Sequence, residues 1–245
     1  MEAKDIRGDF HVHTNWSDGS DPLEAMAKAG TARGYAYLAI CDHSQSLRVA
    51  HGMSVERLRE QMRRINTLNA KRPSCRILMG AEVDILGDGS MDYPDAVLAG
   101  LDFVVGSVHS GFTQGEAKLT QRIIAAMRNP YVTLIAHPTG RLMGQREPYP
   151  VDLDAVFATA RTTGTAVEIN AQPRRLDLTD AAARRARDAG AMLAISTDSH
   201  SLNQLGQMAL GLGVARRAWL EPRHLLNCFT LPQLLAWIGR KRKAR

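Results

Sequence analysis

Apolar residues in this chain gather in seven strand-like runs, at 9–13, 37–43, 76–82, 103–109, 132–137, 165–170 and 192–198, and each stops at a polar or charged residue. Most lack the apolar–polar alternation of a half-exposed strand, so they read as parallel strands buried on both faces. In the first run His11 and His13 stand two apart and therefore point to one face. Between the runs the apolar spacing changes to steps of three and four. Ser54 caps a predicted helix through about Leu68, with Val55, Leu58, Met62, Ile65 and Leu68 along one stripe. Asp21-Pro22-Leu23-Glu24 predicts another start, with Asp21 as N-cap, proline in the first helical position and Gly30 or Gly34 as the stop. Thr179 opens a third helix ending at Gly190.

The runs end at 13, 43, 82, 109, 137, 170 and 198, and each interval, 27 to 39 residues, has room for one β-α unit. That rhythm predicts an α/β parallel barrel with its site on the carboxyl-terminal rim. The 245 residues suit one such domain, placed over 1–239 with a basic tail over 240–245. The amino terminus has no signal-like apolar stretch, and nowhere do ~18 uncharged apolar residues run together. The expectation is a cytoplasmic chain with no membrane and no protein partner. Cys41, Cys75 and Cys228 are odd in number and far apart, which argues against disulfides and a zinc ribbon and for core positions. Trp219, Trp237 and the methionines are also expected in the core.

Polar residues at the ends of the runs change the picture from fold to chemistry. Six of the eight histidines lie there with carboxylates: His11 and His13 with Asp18, then His43, Glu82, His109, His137, and Asp198 with His200. Imidazole and carboxylate suit zinc, manganese or iron, and these nine groups exceed what one ion of four to six ligands needs. Two or three divalent ions are expected to share them. Three carboxylates offset half the charge of three such ions, leaving about three positive charges that a phosphate would neutralise. A phosphate ester is the substrate this implies. His51 and His224 lack ligand-like neighbours. Asp9 and Asp42 either bond a ligand imidazole or act as structural caps. Trp16 packs by default, with stacking on a base as the alternative.

The formal charge of +6 suggests a nucleic-acid binder until it is located: Arg240, Lys241, Arg242, Lys243 and Arg245 supply five of those units. The tail reads either as a frayed, solubilising terminus or as a grip on phosphate backbones.

The motifs His11-Val-His13-Thr-Asn-Trp-Ser-Asp18-Gly, Asp42-His43-Ser, Gly80-Ala-Glu82-Val-Asp, Ser107-Val-His109-Ser, Ala136-His137-Pro-Thr-Gly and Thr197-Asp198-Ser-His200 resemble, in order, those of the polymerase-and-histidinol-phosphatase (PHP) superfamily. The resemblance runs from about Asp5 to Trp237. It is strongest to the carboxyl-terminal PHP domain of bacterial family-X DNA polymerases, through Asp42-His-Ser-Gln-Ser-Leu-Arg-Val-Ala50, Glu82-Val-Asp-Ile-Leu86, Asp88-Gly-Ser-Met-Asp-Tyr-Pro94, His137-Pro-Thr-Gly-Arg-Leu142 and Glu168-Ile-Asn170.

That resemblance implies a distorted (βα)7 TIM-like barrel, the PHP fold, holding up to three metals and hydrolysing phosphate esters, in the polymerase relatives as a manganese-dependent 3'-to-5' exonuclease. One metal would take His11, His13, Glu82 and Asp198; a second would share Glu82 and add His109 and His137; a third would take Asp18, His43 and His200. Catalysis would centre on Glu82, His109, His137 and Asp198. Ten residues precede His11, so a chain without polymerase domains and without polymerisation is expected. Metals ~3.5–4 Å apart can bridge a water and bring its pKa from about 15.7 to near 7, and no protein nucleophile is then needed. Positioning falls to rim groups, of which Arg141 and Arg175 lead, followed by Arg146, Arg48 and Asn170.

Three function classes follow. A nuclease or DNA-end phosphoesterase acting on single-stranded DNA or DNA ends is favoured by the polymerase-like motifs and the tail. A histidinol-phosphatase-like phosphomonoesterase is favoured by one compact domain with 5% aromatic residues. A non-enzymatic metal scaffold is disfavoured by the complete ligand set.

Overall fold

In a computed structural model the chain is described over residues 1–243. Seven strands form one parallel sheet in sequence order: β1 (Gly8–Val12), β2 (Tyr37–Ile40), β3 (Arg76–Asp84), β4 (Phe103–Ser107), β5 (Val132–Ile135), β6 (Ala166–Asn170) and β7 (Leu193–Ser196). The sheet curls until β7 meets β1, where Val12 pairs with Ser199 and the His13 amide donates to the Ser199 carbonyl at 2.8 Å. The outer layer comprises α1 (Leu23–Ala32), α2 (Val55–Ala70), α3 (Asp95–Leu98), α4 (Glu116–Arg128), α5 (Leu153–Thr163), α6 (Asp180–Asp188) and α7 (Met208–Arg217), while α8 (Leu231–Lys243) plugs the amino-terminal end of the barrel. None of these helices is long and apolar enough to cross a membrane.

The inward faces of the strands change character along their length. Low in the barrel, Phe10, Tyr37, Leu78, Phe103, Leu134 and Ala194 pack with Leu234 and Ile238 of α8, and the Phe10 ring stacks on Phe103 at 4.8 Å. Two or four residues further along the same faces stand Glu82, Ser107, Glu168, Asn170, Ser196 and Asp198. Period-two geometry thus makes the polar site the top layer of an interior whose lower layers are apolar. On β1 an irregularity between Asp9 and Val12 sets one extra residue against β2. Phe10 enters the apolar layer while His11 and His13 both reach the polar one, as a bulge allows.

Ser54 and Thr179 cap α2 and α6 as their positions predict, accepting from the amides of Arg57 and Ala182. α6 ends at Asp188, and Gly190 follows in the left-handed region at φ 78°. Four details depart from the sequence reading. Asp21 does not cap α1; Pro22 occupies that position, and the Asp21 carboxylate instead accepts the Leu202 amide at 2.8 Å. Four strands, β2, β4, β5 and β7, stop before their ligand residue and β1 stops before the second of its two, because the ladder gives way to loop hydrogen bonds at the rim. Trp219 is 66% exposed under the Arg184 guanidinium, 4.0 Å from its ring, and Met143 is also exposed, so neither is core. Cys41 and Cys75 are buried as expected, Cys228 only half so.

The boundary expected between residues 239 and 240 falls inside α8. Lys241 is buried, its ammonium donating to the carbonyls of Met127 (3.0 Å) and Thr163 (3.2 Å) and to the Thr165 hydroxyl (2.7 Å). Arg242 donates to the Leu101 carbonyl at 2.5 Å. These two cations are committed to the floor of the barrel, opposite the rim, while positions 244–245 of the expected tail lie outside the described residues.

Candidate metal centre

The Glu82 carboxylate stands at the middle of the rim, buried and facing two ways. Its Oε1 lies 3.0 Å from His137 Nε2 and 3.3 Å from His109 Nε2, and accepts the Ser107 hydroxyl at 2.6 Å. Its Oε2 lies 2.9 Å from His43 Nδ1, 3.2 Å from His11 Nε2 and 3.6 Å from His13 Nε2. Asp198 Oδ1 approaches His13 Nε2 at 3.2 Å and His11 Nε2 at 3.8 Å. Asp18 Oδ2 approaches His200 Nε2 at 3.2 Å and His43 Nε2 at 3.5 Å. Among the described residues three groups have ligand atoms within 4.8 Å of one another: His13, Asp18, His43 and His200; His11, His13 and Asp198; and His43, Glu82 and His109. Eight of the nine side chains singled out in the sequence fall in these groups, His13 and His43 each in two of them, and His137 joins through Glu82.

These residues fit divalent metal on an observation of their own. His11 Nε2, both nitrogens of His13, His43 Nδ1 and His137 Nδ1 are buried without a hydrogen-bond partner. Orphaned polar atoms in a protein interior are costly, and a lone pair aimed among carboxylates is what an ion would satisfy. The charges respond to the same crowding. Burial opposes the ionised form of Glu82, but the His11, His109 and His43 imidazoles outweigh it and hold the carboxyl well below its ordinary range. Burial and the neighbouring His200 and His43 push His13 down to about 3, while burial and Arg175 push His137 down to about 4. These two are held neutral, the form that coordinates metal, whereas the neighbouring carboxylates outweigh burial and raise His11, His43, His109 and His200. His137 and Asp198 have left-handed backbones, φ 27° and 52°, a strained state concentrated at functional sites.

A second layer orients these groups, and the sequence reading gave its members no role. Glu168 Oε1 lies 2.9 Å from His11 Nδ1, and Oε2 accepts the His137 amide at 2.7 Å. Asp84 Oδ1 lies 2.6 Å from His109 Nδ1. Both carboxylates were visible as strand residues on the inward face, Asp84 two after Glu82 and Glu168 two before Asn170. Asp9 and Asp42, in contrast, are structural caps: Asp9 accepts the Thr197 hydroxyl and amide, and Asp42 accepts from Thr14, Ser17 and Gln61. Buried Arg122 of α4 donates to the Ile85 and Ser110 carbonyls, tying together the chain just after Asp84 and just after His109.

The expected substrate contacts separate into two kinds. Arg175 lines a cavity of about 360 Å³ over the site, with Nε 3.3 Å from Asp198 Oδ2 and Nη1 unpartnered. Arg141 instead donates to the Arg175 and Leu176 carbonyls, bracing the loop that carries Arg175. Arg146 donates to the Gly140 carbonyl and lies over Phe112, and Arg48 projects into solvent, so none of these three lines the cavity. Asn170 is fully buried beneath it and donates to Asp198 Oδ2 at 3.1 Å, which makes it a positioning residue rather than a substrate contact. Trp16 faces a separate groove of about 450 Å³ between the start of α1 and the middle of α2, with the Arg57 guanidinium 6.0 Å from its ring.

The PHP domain family matches residues 9–171. The chain belongs to the PHP family. Together with the phosphatases it resembles, that family indicates a hydrolase of phosphoric ester bonds. It is 45% identical over 98% of its length to the DNA polymerase/3'-5' exonuclease PolX of Bacillus subtilis (strain 168), of which it covers 42%. It therefore spans under half of that relative. A probable phosphatase of Thermoanaerobacter sp. (strain X514) is 26% identical, with 89% of each chain covered. Among solved PHP structures, the histidinol phosphate phosphatase of Lactococcus lactis, complexed with zinc, L-histidinol and phosphate, matches 88% of this chain and 95% of its own at TM-score 0.65 and 14% identity, a likeness of fold.

Proposed function

We propose that this PHP chain is a metal-dependent phosphoesterase acting at DNA ends, as a 3'-to-5' exonuclease or end-processing enzyme, with two or three divalent ions of zinc, manganese or iron. The observation that carries the DNA reading is the 45% identity, over nearly the whole chain, to a relative named as a 3'-5' exonuclease. The two-sided approach of imidazoles to Glu82 supports more than one ion. In this reading Glu82, His109 and His137 would hold one ion, His11, His13 and Asp198 with Glu82 shared would hold another, and Asp18, His43 and His200 a third. Bound ions would polarise the phosphoryl oxygens and activate water, the chemistry such clusters supply. Arg175 orients the phosphate through its unpartnered Nη1, a donor already in place where negative charge gathers. Asn170 and Glu168 hold Asp198 and His11 in register for that task.

A small-molecule phosphomonoesterase is the second reading, favoured by the probable phosphatase that this chain matches over 89% of both lengths. Metal-depleted protein, restored with manganese, zinc or iron in turn, would be given a 5'-labelled single strand and a panel of phosphomonoesters. Stepwise shortening of the strand with little phosphomonoester turnover is the expected result. Turnover confined to phosphomonoesters would replace the DNA reading with the second.

A further inference from the structure

The cavity over the metal centre has two unlike walls. Gln172 and Arg175 stand on one side; Leu47, Val49 and Ala50, from the loop after His43, stand on the other. That loop is braced. Ser44 pairs with Met53, the Ser46 amide donates to Asp92 at 2.8 Å, and the Ser46 hydroxyl donates to Asp84 at 2.6 Å. The 3-10 turn Arg48–Ala50 ends in His51, left-handed at φ 56°. Val49 is 88% exposed at the edge of this lining. A single valine on a surface is ordinary, but this one stands with Leu47 and Ala50 on a braced loop, and the rest of the cavity lining is charged or polar. The three carboxylates on the lining, Asp18, Glu82 and Asp198, are each engaged with the imidazoles of the metal centre. None is left to pair with an ammonium on the alcohol side of an ester, and an apolar lip gives such a group nothing to replace its water.

We propose that Val49, with Leu47 beside it, is a specificity-determining contact for the nucleoside attached to the scissile phosphate, selecting esters with a flat, partly apolar leaving group over those that carry an ammonium. The phosphate itself is left to the metal centre and Arg175. This inference rests on the DNA-end reading above.

The full-length, metal-loaded protein would be assayed on a single-stranded oligothymidylate and on phosphoethanolamine, with inorganic phosphate as competitor, beside Val49→Ala and Val49→Phe. Removing two methyl groups from a half-covered contact should raise KM for the strand about fivefold, and the added ring should lower it by a similar factor. Metal content and inhibition by inorganic phosphate should hold across all three proteins. A KM that neither variant moves, in a wild type that cuts the strand, would reject the lip and leave the DNA reading standing. A wild type that does not cut the strand overturns both, whether or not it hydrolyses phosphoethanolamine.

Discussion

Glu168 Oε1 lies 2.9 Å from His11 Nδ1, a pairing of two fully buried groups 157 residues apart in sequence. It directs the Nδ1 proton of His11 to Glu168 and leaves Nε2 free toward Glu82 and Asp198. Fixing the tautomer and ring angle of a ligand in this way is the usual work of a carboxylate behind a metal-binding histidine.

Glu168→Gln should therefore weaken metal binding by about 10- to 100-fold with the fold intact. Titration calorimetry with manganese or zinc on metal-depleted protein checks it. Wild-type affinity would show that the pairing does not tune the site.

Replacing Glu82 by glutamine should abolish phosphoester hydrolysis and lower the number of bound ions, since one carboxylate faces imidazoles on both sides. The fold should survive, because the barrel buries far more area than one rim residue supplies. Circular dichroism, metal analysis and turnover together test this. A folded, fully loaded and active variant would remove Glu82 from the mechanism.

Arg122 should matter through the loops it joins. Arg122→Met leaves the carbonyls of Ile85 and Ser110 without their donor, at about 1–3 kcal/mol for each one that stays buried. A lowered unfolding midpoint is expected, together with preferential loss of the ion on the His109 side. An unchanged midpoint in urea would sink this account.

Lys241 predicts a pH dependence far from the metal centre. Burial pushes its ammonium down to about 8 from an ordinary 10.5. Between those values the unfolded chain binds more protons than the folded one, so stability should rise with pH across that window, and the cost of burying the charge is fully present below about 8. In Lys241→Met that rise should be missing. Urea unfolding at pH 7.5, 9 and 10 measures the difference in slope, and parallel curves for the two proteins would refute the assignment.

The sequence by itself determined the strand–helix rhythm, the caps of α2 and α6, and the nine groups at the strand ends, because these depend on spacing within a few residues. A period of two places His11 and His13 on one face whatever the rest of the chain does. Barrel closure decided the remainder. It brought β7 against β1 and let Glu168 of β6 reach His11 through the interior, placed His43 between two ligand groups, and sank Asn170 below the cavity floor. Of four arginines in rim loops, only Arg175 turned inward, while Arg141 was spent on the carbonyls that hold it there. The terminal cations show the same division. Their number is read from the chain, but Lys241 and Arg242 became part of the floor because the last turn of α8 carries them onto backbone carbonyls at the lower end of the barrel. Contacts of this kind join residues far apart in sequence, and only the folded barrel gives them a distance.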